Sequence, residues 1–506
     1  MRLNLVAHTL GLILRYFGLL LLFPLVTDLI YGNWWAAVGF AVAGVAASSV
    51  GELGRRIYTG NAELSRIEGI AVVALSWMIV AIFGAVPYWW AGLGTIDALF
   101  ESMSGFTTTG ATVFTDFGAF SKGIFLWRSL SQWLGGMGVI TLFIAILPAL
   151  AIAGRQMFFA EAPGPAEERL TPRIRQTAIL LWSTYVGLTG VQVLSLFVVG
   201  MPLFDALCNS LSTLAAGGFS PHPGSIGGYE NPAAEWVFII FIFLAGANYS
   251  LQYRAVRGQP GRLFRDEELR GYVALVLVAT MALAFFLWQF AADPGAEYLD
   301  SSTSLHPLEN ASSIDLVRQA MFQVLTIITT AGFATDDFDL WNDQAKVILF
   351  ILMFVGGCAG SASGGPKVVR ILLIAKYAMC ELTQALHPRA VRPVRLNRCV
   401  VPPQIMRAIV SFLLLYLVVY VLSVAAIVGL GADLVTGLTA CIATLGNIGP
   451  GFGMVGPMSS YAEFPLASKL VFILTMWIGR LEVMTVLILL HPSVWRSARV
   501  HSPSMA

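Results

Sequence analysis

Thr107-Thr108-Thr109-Gly110-Ala111-Thr112 closes a short apolar run that opens near Asp97, and the chain repeats this arrangement three more times. The later copies read Ala215-Ala216-Gly217-Gly218-Phe219-Ser220, Thr329-Thr330-Ala331-Gly332-Phe333-Ala334 and Gly446-Asn447-Ile448-Gly449-Pro450-Gly451, behind runs that begin at Asp205, Asp315 and Asp433. Gly110, Gly218, Gly332 and Gly449 fall at nearly even intervals of about 110 residues, which is the mark of one unit used four times. As a helix, a run of about 10–14 residues covers roughly 15–21 Å. It therefore enters a hydrocarbon core of about 30 Å and stops partway.

The membrane setting follows from composition. The chain has 506 residues, of which 57% are hydrophobic and 12% charged, with a mean hydropathy of +0.76. Soluble domains carry about 25% charged residues, so half that share leaves too little polar surface to coat a water-soluble globule. A net charge of +1 suggests no nucleic-acid partner. Cys208, Cys358, Cys380, Cys399 and Cys441 lack metal-ligand spacing. No nucleotide fingerprint, catalytic triad or metal cluster is visible, so no enzyme chemistry is expected. The first apolar stretch, 8–31, contains Arg15 and has no A-x-A-like cleavage site, so it reads as a retained helix.

Long apolar runs at 8–31 and 34–50 precede the repeats. Each repeat then has a long run, a short run, the Gly segment and another long run. These are 69–92, 96–106 and 123–150; 177–200, 203–214 and 233–251; 272–291, 315–328 and 345–378; and 405–430, 433–445 and 466–490. The expectation is ten spanning helices and four half-helices. The corresponding division is two leading helices in 1–60 and repeats at 61–165, 166–262, 263–395 and 396–506, the last with a short cytoplasmic tail.

Charge supports a cytoplasmic amino terminus. The linkers 51–68, 152–176, 254–271 and 386–407 are rich in Arg, whereas 292–315 holds Asp293, Glu297, Asp300, Glu309 and Asp315 with no Lys or Arg. Every repeat then begins and ends on the same side. Parallel repeats surround a pore; inverted ones would build a midplane transporter site.

The half-helices suggest the chemistry. Asp suits a helix start, so the far end would lie inside the membrane with exposed carbonyls that favour a cation. Gly reaches φ > 0 without a clash and can turn its carbonyl toward an axis. Rings of such carbonyls replace the hydration shell of K⁺.

With these residues in view, the chain resembles the Trk/Ktr/HKT superfamily of K⁺ transporters, and its two leading helices make it similar to the bacterial TrkH/TrkG branch. The resemblance implies an all-α polytopic membrane protein of four parallel membrane–pore loop–membrane repeats around a central pore, a pseudo-tetramer. It implies filter carbonyls from Thr108, Thr109 and Gly110; Ala216, Gly217 and Gly218; Thr330, Ala331 and Gly332; and Asn447, Ile448 and Gly449. In plant relatives, Ser at the first filter Gly is associated with Na⁺ preference; here Gly110 favours K⁺. The second and fourth segments lack the Thr of the others, and Pro450 follows the fourth Gly, so the ring is chemically uneven. Asp336, Asp337 and Asp339 follow the third segment, either to concentrate cations or as an ordinary solvated loop.

A gate is expected below. Gly356-Gly357-Cys358-Ala359-Gly360-Ser361-Ala362-Ser363-Gly364-Gly365-Pro366-Lys367 interrupts a long apolar run. Gly costs about 1 and Pro about 3 kcal/mol against Ala in a helix, so the stretch reads as a mobile intramembrane loop. The resemblance implies that such a Gly/Ser-rich loop, here Gly356, Gly357, Gly360, Ser361, Ser363, Gly364, Gly365 and Lys367, occludes the pore. Pro366 stands where relatives usually have an aliphatic residue. The resemblance also puts Arg480 under the filter as an electrostatic barrier; the alternative is a buried pair with Glu482. Gly135-Gly136-Met137-Gly138 reads as helix packing.

The function implied is K⁺ uptake across the bacterial inner membrane by a homodimer in the lipid bilayer. A cytosolic TrkA-like nucleotide-binding subunit would dock on the basic face. The alternative is a symporter coupling K⁺ to Na⁺ or H⁺; the pore segments hold Thr and Asn but no carboxylate, which argues against H⁺ coupling.

Overall fold

The computed structural model describes residues 1–58, 64–146, 170–291, 312–389 and 392–490, and most of these are helical. Most of the acidic 292–315 stretch, the basic residues 152–169, positions 147–150 of the first repeat and the tail after Pro492 lie outside the described residues.

The leading helix Leu3–Leu20 continues as Leu22–Ile30, and Trp34–Arg56 returns along it. Small residues let the backbones meet: a Cβ on Gly51 would lie 2.4 Å from the Arg15 nitrogen. Buried Asp28 ties this pair to the first repeat by accepting from the Gly123 amide at 2.8 Å and the Ser121 hydroxyl at 3.0 Å.

The four short runs form the pore helices Thr95–Phe106, Leu203–Leu214, Ser313–Ile328 and Leu434–Leu445. Their 12, 12, 16 and 12 residues amount to about 18–24 Å, less than the hydrocarbon thickness. Asp433 is an N-cap as expected, accepting from the Thr436 amide at 3.0 Å. The other three acids are not caps: Gly94, Pro202 and Ser312 occupy that position, and Asp97, Asp205 and Asp315 sit in the first turn. There their charge meets the positive end of the helix dipole. Sequence spacing does not separate the two positions because Asp is favoured at both.

Each pore helix has a helix before and after it. Arg66–Gly84 (with Val86–Trp90), Leu170–Val198, Glu267–Ala291 and Pro403–Gly429 precede. Two of the following helices are bent, which differs from expectation. Lys122–Ile146 is continuous, but Pro232–Gly246 meets Tyr249–Val256 at 107° and Leu466–Arg480 meets Val483–Leu489 at 110°. In the third repeat, non-helical backbone separates Asp343–Leu352 from Val368–Leu386. Among the described residues six helices are long and apolar enough to span, or eight if each bent pair is one span; the two further expected spans are the first-repeat run, described only as far as Ile146, and the third-repeat run, divided by the loop. The cause of the bends is local. Asn248 caps a new helix through the Ser250 and Leu251 amides, and Glu482 adopts φ 60°. One or two such residues barely change the hydrophobicity of a run.

The repeats close on one another. Lys122–Ile146 packs on the second pore helix, Pro232–Gly246 on the third, and Leu466–Arg480 returns to the first. Ion pairs pin these contacts: Glu235–Arg318 at 2.7 Å and, at the closure, Lys469–Asp97 at 2.6 Å. Arg128 pairs with fully buried Glu101 at 2.8 Å and also reaches the Ser220 carbonyl of the next repeat at 3.2 Å. Removing one member of a buried pair costs about 3–5 kcal/mol. Glu101→Gln is therefore expected to lower the thermal unfolding midpoint of the detergent-solubilised protein clearly, while Glu463→Gln, at an exposed position, leaves it nearly unchanged.

Candidate ion pathway

All four pore helices end in the same backbone conformation. Thr108, Ala216, Thr330 and Asn447 have φ of 51°, 56°, 59° and 56°, and two residues later Gly110, Gly218, Gly332 and Gly449 have φ of 82°, 81°, 71° and 100°. Left-handed backbone costs a residue with a Cβ roughly 1–2 kcal/mol, so its recurrence in four different side-chain contexts marks an imposed geometry. The amides of Thr109, Gly217, Ala331 and Ile448 donate back to Ser104, Ser212, Thr326 and Ala443 carbonyls at 2.8, 3.0, 2.8 and 2.7 Å. In a trans peptide the carbonyl points opposite to the N–H. The carbonyls of Thr108, Ala216, Thr330 and Asn447 therefore face away from their helices.

The segments form a closed ring. A Cβ on Gly110 would lie 2.2 Å from the Gly217 oxygen, on Gly218 2.4 Å from that of Ala331, on Gly332 2.1 Å from that of Ile448, and on Gly449 2.7 Å from that of Thr109. Each Gly thus abuts the middle carbonyl of the next repeat, and the fourth returns to the first. All twelve residues expected at the ring are brought together there.

One expectation changes at this level. The helix ends do not present free carbonyls: segment amides occupy them, Trp77 Nε1 donates to Phe106 at 3.2 Å, and the Tyr249 hydroxyl donates to Leu214 at 3.0 Å. The segment carbonyls carry the negative end instead. The ring is also held unevenly. Gln132 Nε2 donates to the Gly217 carbonyl at 2.6 Å while its Oε1 accepts from Phe219 N at 3.1 Å, and the Tyr461 hydroxyl donates to the Gly449 carbonyl at 2.9 Å. Asn447 Nδ2 bridges Thr109 Oγ1 and the Met476 carbonyl, each at 3.0 Å.

A vestibule lies on the far side of the ring, lined by Gly110, Gly218, Gly332 and Gly449 and walled by Arg128, His222 and Tyr461. Arg128 is neutralised by Glu101 and covered by the Phe114 and Phe219 rings at 4.6 and 4.0 Å. Asp336, Asp337 and Asp339 do not line this space. Asp336 accepts from Trp341 Nε1 at 3.0 Å, Asp337 from the Asp339 amide at 3.1 Å, and Asp339 from the Gly453 amide at 3.1 Å. They order the third loop and join it to the fourth.

The expected loop meets the ring from the side opposite the vestibule. The Gly364 amide donates to Thr330 Oγ1 at 2.7 Å, and a Cβ on Gly364 would lie 2.5 Å from the Gly446 oxygen. Cys358 N donates to Gly246 O at 2.8 Å, in the bend of the second repeat. Ser361 Oγ donates to Cys358 O at 2.6 Å, and buried Lys367 donates to Ser363 O at 2.5 Å. Gly356 N donates to Pro366 O, closing the loop at its neck. Arg480 is 4% exposed and does not pair with Glu482, which binds Arg370 at 2.5 Å. Its Nη1 donates to Ala362 O of the loop at 3.0 Å and its Nη2 to Gly135 O at 3.2 Å. Arg480 thus links three repeats beneath the ring. Gly135 and Gly136 make the close packing expected of them, against Phe106 and Ala215.

Sequence reading missed Gln132, Tyr461, Asn248 and Glu268. Glu268 Oε1 accepts from Ala359 N at 2.7 Å and from Val369 N at 3.2 Å, holding both limbs of the loop. Gln132 alone gave a signal, an amide inside an apolar helix. The others become visible only once distant segments meet.

Residues 40–497 match the family described as TrkH, cation transport protein. The chain is 36% identical over 500 residues to the Trk system potassium uptake protein TrkH of Salmonella typhimurium, covering 97% of this chain and 99% of the relative. It is 33% identical to TrkG of Escherichia coli over 97% and 98% of the two chains. The crystal structure of the potassium transporter TrkH from Vibrio parahaemolyticus superposes with a TM-score of 0.87 at 32% identity, covering 98% of this chain and 100% of that one.

Thr330→Val removes the acceptor of the Gly364 amide. A hydrogen bond contributes about 1 kcal/mol net, so peptides covering 356–366 should exchange amide hydrogen roughly fivefold faster than in the wild type. Thr326→Val is the control, since the Thr326 hydroxyl has no partner among the described residues.

Proposed function

The chain belongs to the TrkH family of cation transport proteins, and on that premise we propose that it takes up K⁺ by channel-like conduction through the four-segment ring. The observation that supports this most directly is the cyclic contact of Gly110, Gly218, Gly332 and Gly449 with the carbonyl of the next repeat. Ions enter the vestibule, exchange water for the carbonyls of the twelve ring residues, and leave past the loop. Dehydration is offset by oxygen dipoles already fixed in place, so little reorganisation is needed as the ion passes.

The loop 356–367 and Arg480 form the gate. The loop touches the ring at Thr330 and Gly446, and Arg480 holds it at Ala362. A buried guanidinium under a cation path raises the energy of any ion that tries to pass. Opening therefore requires the loop and the Arg480 side chain to move together. The protein works in the bacterial inner membrane with its amino terminus in the cytoplasm, as a homodimer. A cytosolic TrkA-like nucleotide-binding subunit moves the loop from the basic face. Conduction is favoured over H⁺-coupled symport because Glu101, buried behind the first segment, is taken up by Arg128, Thr112 and the Val113 amide.

Uptake of radiolabelled Rb⁺ into vesicles containing the purified protein, with Na⁺ and K⁺ as competitors, tests the ring. Gly110→Ser should cost about 1 kcal/mol of K⁺ over Na⁺ discrimination, roughly fivefold; unchanged selectivity would sink the filter assignment. Arg480→Ala and deletion of 358–364 should each raise basal uptake. Folded variants that conduct no faster than wild type would remove the gate. Planar-bilayer recording separates conduction from alternating access, because unitary currents of many ions per opening are incompatible with the latter.

A further inference from the structure

A second cavity, of about 1010 Å³, lies on the face away from the vestibule. Arg254, Arg262, Arg265, Arg270 and Arg398 line it, together with Asp266, Glu267 and Glu268. The carboxylates are already engaged. Asp266 accepts from Asn397 Nδ2 at 2.9 Å and the Leu269 amide at 2.8 Å, Glu267 pairs with Lys376, and Glu268 holds the loop limbs. None of the five arginines is in an ion pair among the described residues. Arg254, partly buried, lies close enough to Arg262 to be repelled by it.

Like charges gathered in a recess repel one another unless an anion enters. Guanidinium forks match phosphate oxygens in geometry as well as charge. The floor is apolar, with buried Val369, Leu373 and Ile405, and exposed Phe264 lies at the rim. We infer that this cavity is a binding site for a phosphate-bearing anion, either the headgroup of an anionic phospholipid or a soluble polyphosphate.

Its position gives it a consequence for the loop. Asn248 and Glu268 are in its wall; Asn248 lies against Gly360 and Glu268 binds the Ala359 and Val369 amides. An anion drawn between the arginines shifts the elements that anchor both limbs. Occupancy is thereby linked to the loop without contact with the ion path. Binding at this cavity does not depend on the transport reading.

The test uses the full-length protein in detergent, with dioctanoyl-phosphatidylglycerol and inorganic pyrophosphate as separate probes and dioctanoyl-phosphatidylcholine as the uncharged-lipid control. Thermal unfolding midpoints are followed across a titration of each. The expected result is a saturable rise with at least one anionic probe and none with phosphatidylcholine. A response to the lipid alone identifies a membrane source, and a response to pyrophosphate identifies a soluble one. Arg254→Gln/Arg262→Gln should weaken the apparent affinity about tenfold, the loss of two charge-assisted contacts. Arg398→Gln, on the short hairpin Arg395–Leu396/Cys399–Val400, provides a second variant should the pair not fold, and should weaken it several-fold. Arg389→Gln, outside the cavity, should not. No midpoint shift with either anionic probe, or cavity variants that respond as the wild type does, would overturn the site.

Discussion

The ring depends on where four short stretches of backbone place their amide hydrogens. At membrane depth no water can receive them, so each must find a protein acceptor. The ends of the pore helices supply those acceptors, and the left-handed turn at Thr108, Ala216, Thr330 and Asn447 brings the amides into reach. Once the donors are committed to one side, peptide planarity sends the carbonyls to the other. The outward-facing carbonyls are thus a by-product of satisfying the helix ends. This is also why side chains as unlike as Thr, Ala and Asn serve at the same position. The shared geometry belongs to the backbone, and the side chain has only to tolerate φ > 0.

Below the ring the repeats diverge, and the divergence concentrates on the helix after each segment. One continues, two bend and one opens into the loop. The loop is bound on every side: by Gly246 of the second repeat, Thr330 of its own, Gly446 beside it, Arg480 of the fourth and Glu268 at its base. Most of these are backbone hydrogen bonds or single charge contacts of modest individual strength. Such a segment is held by number, so it can be released by displacing a few anchors together.

Much of this was legible in the chain. The four Gly segments, their half-helices and the loop at 356–367 stand out because Gly, Pro and interrupted hydrophobicity leave direct traces in sequence. Capping was less legible: Asp97, Asp205 and Asp315 are in the first turn, and propensity alone does not distinguish that place from the cap. The two bends escaped notice because a run such as 233–251 stays apolar across Asn248. Arg480 was flagged as buried, but its partners are backbone carbonyls of Ala362 and Gly135, hundreds of positions away in part. Glu482, the alternative partner that sequence offers, belongs to Arg370. Contacts to main-chain oxygen carry no signature in side-chain identity.

The uneven clamping of the ring bears on how such a protein can change. When four identical subunits surround an axis, any inherited alteration is imposed at four places simultaneously, and intermediate steps do not exist. Here Gln132 grips one quarter and Tyr461 another, each encoded once. A single codon change therefore perturbs a quarter of the ring and leaves three quarters as template. The geometry of the ring can therefore be altered in small increments, and asymmetry, once acquired, can be kept.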